Sequence, residues 1–277
     1  MRFNERLRST CRKKGSFLTI GLDPDFERIP SFLKKFESPI LEFNKSIINA
    51  TSDLVCAYKL NMAFYEQFGI KGWRSLKKTI ELIQEDTLII LDGKRAYIAN
   101  TSGKYAKSVF EELKADAVTV NPYMGGDSIA PFLEDESKGA FVLCLTSNPG
   151  AKDFQHLSVN GRHIFEEVAN KANEWNTNDN VGLVVGATQS QFMKKIRNIA
   201  PNLPFLIPGV GAQGGDLEET ISAGKNSENE GMIITVSRNI LYQSDETDFA
   251  SKSRAAALYL RDQINTHLSS AKINHGT

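Results

Sequence analysis

Cysteine is scarce in this chain. Cys11, Cys56 and Cys144 are odd in number and far apart, which excludes a disulfide framework. Cys56 and Cys144 fall inside apolar, strand-like runs, where a buried free thiol is the usual state. A reducing, cytoplasmic setting is therefore expected. Net charge is absent too, since lysine plus arginine number 33 and aspartate plus glutamate also number 33. That removes the strongly basic footprint of a nucleic-acid-binding chain. No apolar run reaches the roughly 18 residues that span a bilayer, so no membrane partner is expected. The N-terminal MRFNERLRSTCRKKG is charged but lacks an apolar core. It reads as a short first helix rather than a signal peptide. Histidine is limited to His156, His163, His267 and His275, none at a predicted strand end, so no histidine base is indicated. There is no H-E-x-x-H, paired C-x-x-C or acidic cluster, and hence no expected metal site. No dinucleotide or P-loop fingerprint points to a nucleotide cofactor.

What is present is a regular alternation. Eight short apolar runs recur, at 17–23, 56–61, 87–94, 117–123, 141–146, 181–188, 204–209 and 231–237. They are too short for helices and are mostly bounded by Gly, Pro, Asn or Asp, so they read as strands. Helical spacing fills the gaps at 39–54, 73–85, 101–113, 161–175, 189–199 and 217–223, with a last helix at 249–268. Strands that alternate with helices pair in parallel through right-handed crossovers. Eight such units close on themselves. The prediction is an α/β fold, a (β/α)8 TIM barrel, as a single domain over residues 1–277. An open doubly wound sheet is the alternative. It is disfavoured because no G-x-G-x-x-G follows the first strand.

In such a barrel, functional groups gather where strands end. Polar residues do collect there: Asp23, Lys59 and Asn61, Asp92 and Lys94, Asn121, Ser147 and Asn148, and Arg238. One strand-end aspartate alone is more often a helix cap. A set around one rim points to a site. Two features suggest a phosphate group on a small-molecule substrate. The segment PGVGAQGGD, from Pro208 to Asp216, follows strand seven and can turn backbone N–H groups inward ahead of a helix. Arg238 follows strand eight and offers a planar donor for phosphate oxygens. The centre of the predicted site is LDGK, 91–94. Asp92 and Lys94 are two apart on a strand and should face one side. Lys59, on the neighbouring strand, should lie beside them. Such a Lys–Asp–Lys row keeps the lysines protonated and the aspartate ionised. A lysine there can deliver a proton to a developing carbanion.

At these residues the chain resembles the orotidine 5′-phosphate decarboxylase family, in its longer bacterial subgroup. The resemblance runs through GLDP (21–24), YKLNMAFYE (58–66), LDGK (91–94) and NPYMGGDS (121–128). It continues in TSNPGAKDFQ (146–155), VVGAT (184–188), PGVGAQGGD (208–216) and SRNILY (237–242). It implies decarboxylation of orotidine 5′-monophosphate, with no metal or organic cofactor. It further implies that Lys94 protonates C6, that Asp92 lies against the leaving carboxylate, and that Lys59 supports Asp92. Asp23 would bind the ribose hydroxyls and Ser147 the pyrimidine edge. Gln213 and Arg238 would hold the 5′-phosphate, with Pro208, Gly211 and Ala212 around it. The resemblance also implies a homodimer with sites at the interface, Ile98 and Thr101 being donated to the partner's site.

The chain departs from the family's D-x-K-x-x-D pattern at its last position, where Tyr97 replaces the aspartate. Tyrosine carries no charge near neutral pH, with a reference pKa of about 10. The row is then expected to hold one carboxylate against two lysines. This leaves a second reading open: a catalytically impaired relative that binds a nucleotide monophosphate with weak turnover. A related barrel enzyme acting on a sugar phosphate with magnesium shares the same strand motif. The extended TSNPGAKDFQ and PGVGAQGGD segments speak against it.

Overall fold

All eight apolar runs form strands in the computed structural model, which describes residues 1–211 and 215–270. They are β1 (Leu18–Gly21), β2 (Ala57–Asn61), β3 (Leu88–Arg95), β4 (Ala117–Val120), β5 (Gly139–Leu145), β6 (Val181–Val185), β7 (Phe205–Pro208) and β8 (Met232–Val236). Each pairs in parallel with its sequence neighbours, and β8 returns to β1 through Leu18↔Ile234 and Thr19↔Thr235. The barrel is closed, so no strand edge is left exposed. The helices α1 (Phe3–Lys14), α2 (Pro39–Thr51), α3 (Gly69–Glu81), α4 (Ala99–Lys107), α5 (Ile164–Trp175), α6 (Ser190–Ile199), α7 (Leu217–Gly224) and α8 (Phe249–Ser270) complete the α/β alternation. None of the described helices is long and apolar enough to cross a membrane.

Period-two alternation divides each strand between two cores. Ile89 and Leu91 of β3, Val118 and Val120 of β4, and Leu183 and Val185 of β6 face the helices. Leu88, Ile90, Ala117, Phe141, Val184, Leu206 and Ile233 fill the barrel interior instead. Below them, α1 supplies Phe3, Leu7 and Cys11 as a plug. The Phe3 ring meets Phe141 edge-on at 5.9 Å. A Cβ at Gly139 would stand 2.2 Å from the Phe3 ring, so only glycine lets the plug seat. Continuing upward on the same interior positions, the side chains turn polar: Lys59, Thr119 and Thr235, all buried, and the largely buried Asp92 border one hollow. The alternation that builds the floor therefore also aims these groups into the mouth.

Three elements differ from expectation. The helix predicted over 73–85 lies at Gly69–Glu81, a turn earlier. The helix predicted over 101–113 is α4 followed by a wider π turn, Ser108–Glu112. Between β5 and α5 a small antiparallel hairpin forms, pairing Ser158 with His163 and Val159 with Arg162. Its turn is Asn160–Gly161, with φ of 52° and 79°, the Asn-Gly signature of a tight hairpin. His163 then caps α5, and the Glu166 carboxylate accepts from the His163 backbone N–H at 2.9 Å. That cap moves the helix start from the expected Gly161 to Ile164.

Candidate active site

A cavity of about 620 Å³ opens at the C-terminal ends of the strands. Asp23, Lys59, Asp92, Lys94, Ser147, Pro208 and Arg238 all line it. Lys59 Nζ donates to Asp92 Oδ2 at 3.0 Å and Lys94 Nζ to Asp92 Oδ1 at 2.8 Å. Burial alone would raise the Asp92 pKa. The two lysines and the hydrogen bonds from Lys94 and Thr119 outweigh it and hold the carboxyl well below the usual carboxylate range. Burial would likewise lower Lys59, but Asp23 and Asp92 outweigh it and raise its pKa. Asp92 is thus an anion and Lys59 a cation throughout the neutral range.

The row is longer than the sequence reading expects. Asp23 Oδ1 lies 3.7 Å from Lys59 Nζ, because β1 and β2 pair with Gly21 opposite Lys59. The order is Asp23–Lys59–Asp92–Lys94, two carboxylates and two ammoniums. Asp23 is itself held by the Asn61 backbone N–H at 3.1 Å and the Ser237 hydroxyl at 2.7 Å. The facing of Asp92 and Lys94 also has a different cause from simple alternation. Lys94 has φ 44°, and the β3–β4 register shifts between Leu91 and Arg95. A bulge, not strand parity, brings the ammonium back onto Asp92.

Around this row the cavity is mixed in character. Leu143, Val184 and Leu206 form an apolar floor beside Thr119 and Thr235. The hydroxyls of Ser147 and Thr235 are buried without a hydrogen-bond partner among the described residues. Such groups are costly unless something polar meets them. The loop after β5 is tied down by Gln155, whose side chain accepts from the Thr146 backbone N–H at 2.8 Å and donates to the Thr146 hydroxyl at 2.8 Å. Arg238 opens a short helix, Arg238–Leu241, and its exposed guanidinium faces the cavity. The β7 loop abuts it: a Cβ at Gly211, which has φ 72°, would stand 2.9 Å from Asn239 Nδ2. Gly211 thus lies against Asn239, next in sequence to Arg238, and is not among the residues that line the cavity. Gln213 and Ala212 lie outside the described residues. Ile98, 58% exposed, and the half-buried Thr101 are not among the residues that line the cavity of their own chain. Tyr97 is beside them and 49% exposed.

Thr119, Ser237 and Thr235 escape the sequence reading. The available signal was parity: Thr119 and Thr235 occupy interior positions in otherwise apolar strands. Among the described residues, no group of three or more His, Cys, Asp or Glu side chains is gathered as metal ligands would be.

The described geometry has close counterparts. Residues 16–252 match the family model described as Orotidine 5′-phosphate decarboxylase / HUMPS family. An orotidine 5′-phosphate decarboxylase of Dehalococcoides mccartyi is 48% identical over 269 residues, covering 96% of this chain and 98% of that protein. The solved structure of Leishmania donovani OMP decarboxylase superposes with a TM-score of 0.86 at 39% identity, over 97% of this chain and 99% of that one. Leishmania donovani UMP synthase gives a TM-score of 0.88 at 41% identity over 97% of this chain, which spans 57% of that longer protein.

Proposed function

The chain belongs to the orotidine 5′-phosphate decarboxylase / HUMPS family, and on that premise we propose that it converts orotidine 5′-monophosphate to uridine 5′-monophosphate, the last step of UMP synthesis. The observation that carries this reading is the Asp92 carboxylate clamped between Lys59 and Lys94 in the cavity. The phosphate would rest on Arg238, with Pro208, Gly211 and Gln213 beside it. Asp23 would receive the ribose hydroxyls, and the orphaned Ser147 hydroxyl would meet the pyrimidine edge. The substrate carboxylate would then face Asp92. The C6–carboxylate bond breaks, carbon dioxide leaves, and the electron pair stays on C6. Lys94 Nζ gives C6 a proton. Its side chain is 47% exposed and regains a proton from water.

The energetics favour this division of labour. Loss of carbon dioxide without an electron sink has a high barrier, and enzymes lower barriers by about 8–23 kcal/mol. Fixed charges act without reorganising during the reaction. Binding energy from the remote phosphate helps bring the ring onto them. The proposed chemistry uses the chain's own side chains and neither metal nor organic cofactor. Residues 1–277 act as one domain, in the cytoplasm. Two copies form a homodimer in which Ile98 and Thr101 enter the partner's site.

Following the ultraviolet absorbance of orotidine 5′-monophosphate with purified protein tests the reading. Turnover that disappears in Lys94→Ala is expected; no turnover above background would overturn it. A rate loss on adding EDTA would instead favour a magnesium-using sugar-phosphate enzyme. Tyr97 supports a second reading, an impaired enzyme that binds nucleotide monophosphates. It expects at least about tenfold faster turnover in Tyr97→Asp, a gain of roughly 1.4 kcal/mol in the barrier. Equal rates in the two proteins would remove it.

A further inference from the structure

We infer that the Thr119 hydroxyl is a positioning residue for the Asp92–Lys94 couple, an inference that rests on the decarboxylase reading for its kinetic consequence. Between the pairs Leu91↔Val118 and Arg95↔Val120, three residues of β3 stand opposite one residue of β4. The three are Asp92, Gly93 and Lys94, and the one is Thr119. Such a bulge leaves backbone groups without ladder partners. It also carries Lys94 to φ 44°, a region unfavourable for any L residue with a side chain.

Thr119 meets both demands with one atom. Its Oγ1 accepts from the Lys94 backbone N–H at 3.0 Å and donates to Asp92 Oδ1 at 2.8 Å. The directions are forced. A backbone N–H can only donate, so the hydroxyl spends a lone pair on Lys94 and its single proton on Asp92. Asp92 Oδ1 then receives two donors, Thr119 and Lys94 Nζ, while Oδ2 receives Lys59. Three donors fix the plane of the carboxylate. The hydroxyl also ties the backbone of the proton donor to the anion beside it. Thr119 is 1% exposed and sits beside the apolar floor of the cavity.

Thr119→Val keeps the branched shape and deletes both bonds; Thr119→Ser keeps the hydroxyl. The expected result for Thr119→Val is kcat lower by about 10- to 100-fold, the range for a lost hydrogen bond to a charged group. KM should stay within about threefold, because the phosphate grip is distant. Thr119→Ser should recover most of the rate. Unchanged kcat in the valine variant, or equal losses in valine and serine, would overturn the inference. A crystal structure of Thr119→Val supplies an arm independent of turnover. Lys94 should leave the positive-φ region, or its Nζ should move beyond hydrogen-bond range of Asp92, about 3.5 Å. An unaltered Lys94 and Asp92 would overturn the inference. If the wild-type protein shows no turnover, the decarboxylase reading falls by itself, and the crystallographic arm decides on Thr119. Should the valine variant not fold, Thr119→Ala takes its place in both arms.

Discussion

At the mouth of the barrel, Asp92 lies between Lys59 at 3.0 Å and Lys94 at 2.8 Å. At the opposite end, Asp116 lies between Arg6 at 2.7 Å and Lys138 at 3.9 Å. The two trios are similar in charge and unlike in what they hold. Asp116 accepts from the Ile89 backbone N–H at 2.9 Å, Arg6 donates to the Ser137 carbonyl at 3.2 Å, and Lys138 donates to the Ala115 carbonyl at 2.8 Å. That trio stitches α1, β3 and the lead-in to β5 together through main chain. The hydrogen bonds to the Asp92 carboxylate come from side chains, those of Lys59, Lys94 and Thr119. The ammonium groups respond accordingly. Burial dominates at Lys138 and lowers its pKa despite Asp116. At Lys59 the nearby carboxylates win over burial and raise it. A carboxylate between two cations is thus a staple when its partners are backbone. When its partners are side chains around a cavity, it is a preorganised charge.

Lys94→Ala should separate the two ends most sharply. Turnover is expected to fall by about 10³-fold or more, within the range for loss of a general acid. The melting temperature should barely move, since Lys94 is half exposed. Unfolding in this variant would show that the mouth, too, is a staple. Arg238→Ala comes next, lowering kcat/KM by about 100-fold through loss of a charge-assisted phosphate contact. Steady-state kinetics with a phosphate-free nucleoside substrate would show no such loss if Arg238 acts on phosphate.

Asp116→Asn is the mirror experiment. It should leave kcat unchanged and cost about 1–3 kcal/mol of stability, as a part-buried charge loses its partner. Urea unfolding measures this, and slowed turnover at full stability would break the comparison. The smallest effect is on pH dependence. Asp92 is depressed in the fold, so its stabilisation is complete above its unfolded pKa of about 3.9 and is lost as pH falls through the depressed folded value. Lys59 is raised, so its contribution is complete below about 10.4 and is lost as pH rises through the higher folded value. Between these limits Asp92 and Lys59 should titrate neither way. Asp92→Asn should remove part of the acid-limb dependence in a pH series of urea midpoints and leave the range from pH 5 to about 9 flat.

Much of this was legible in the chain. The eight strands follow from short apolar runs set between helical spacings, because parallel strands buried on both faces must be nearly all apolar. Asp23, Lys59, Asp92, Lys94, Ser147 and Arg238 stand out as polar residues at strand ends, and all of them line one cavity. Other parts were not legible. The Asn160–Gly161 hairpin is short, and its turn signal lies inside a stretch with helical spacing. Asp23 as a fourth member of the charge row depends on β1–β2 register. Thr119 reads as one more β-branched strand residue until the bulge opposite it is seen.

The order and spacing of residue types determined the barrel, its mouth and the address of the charged groups by themselves. That follows because period-two alternation and strand–helix alternation are properties of the chain alone. The contacts at that address were decided by closure and register. Whether Lys94 reaches Asp92, whether Asp23 completes the row, and what Thr119 holds depend on how four neighbouring strands slide against one another. A one-residue slip would turn each of these side chains to the other face, and only the packed barrel selects among the registers.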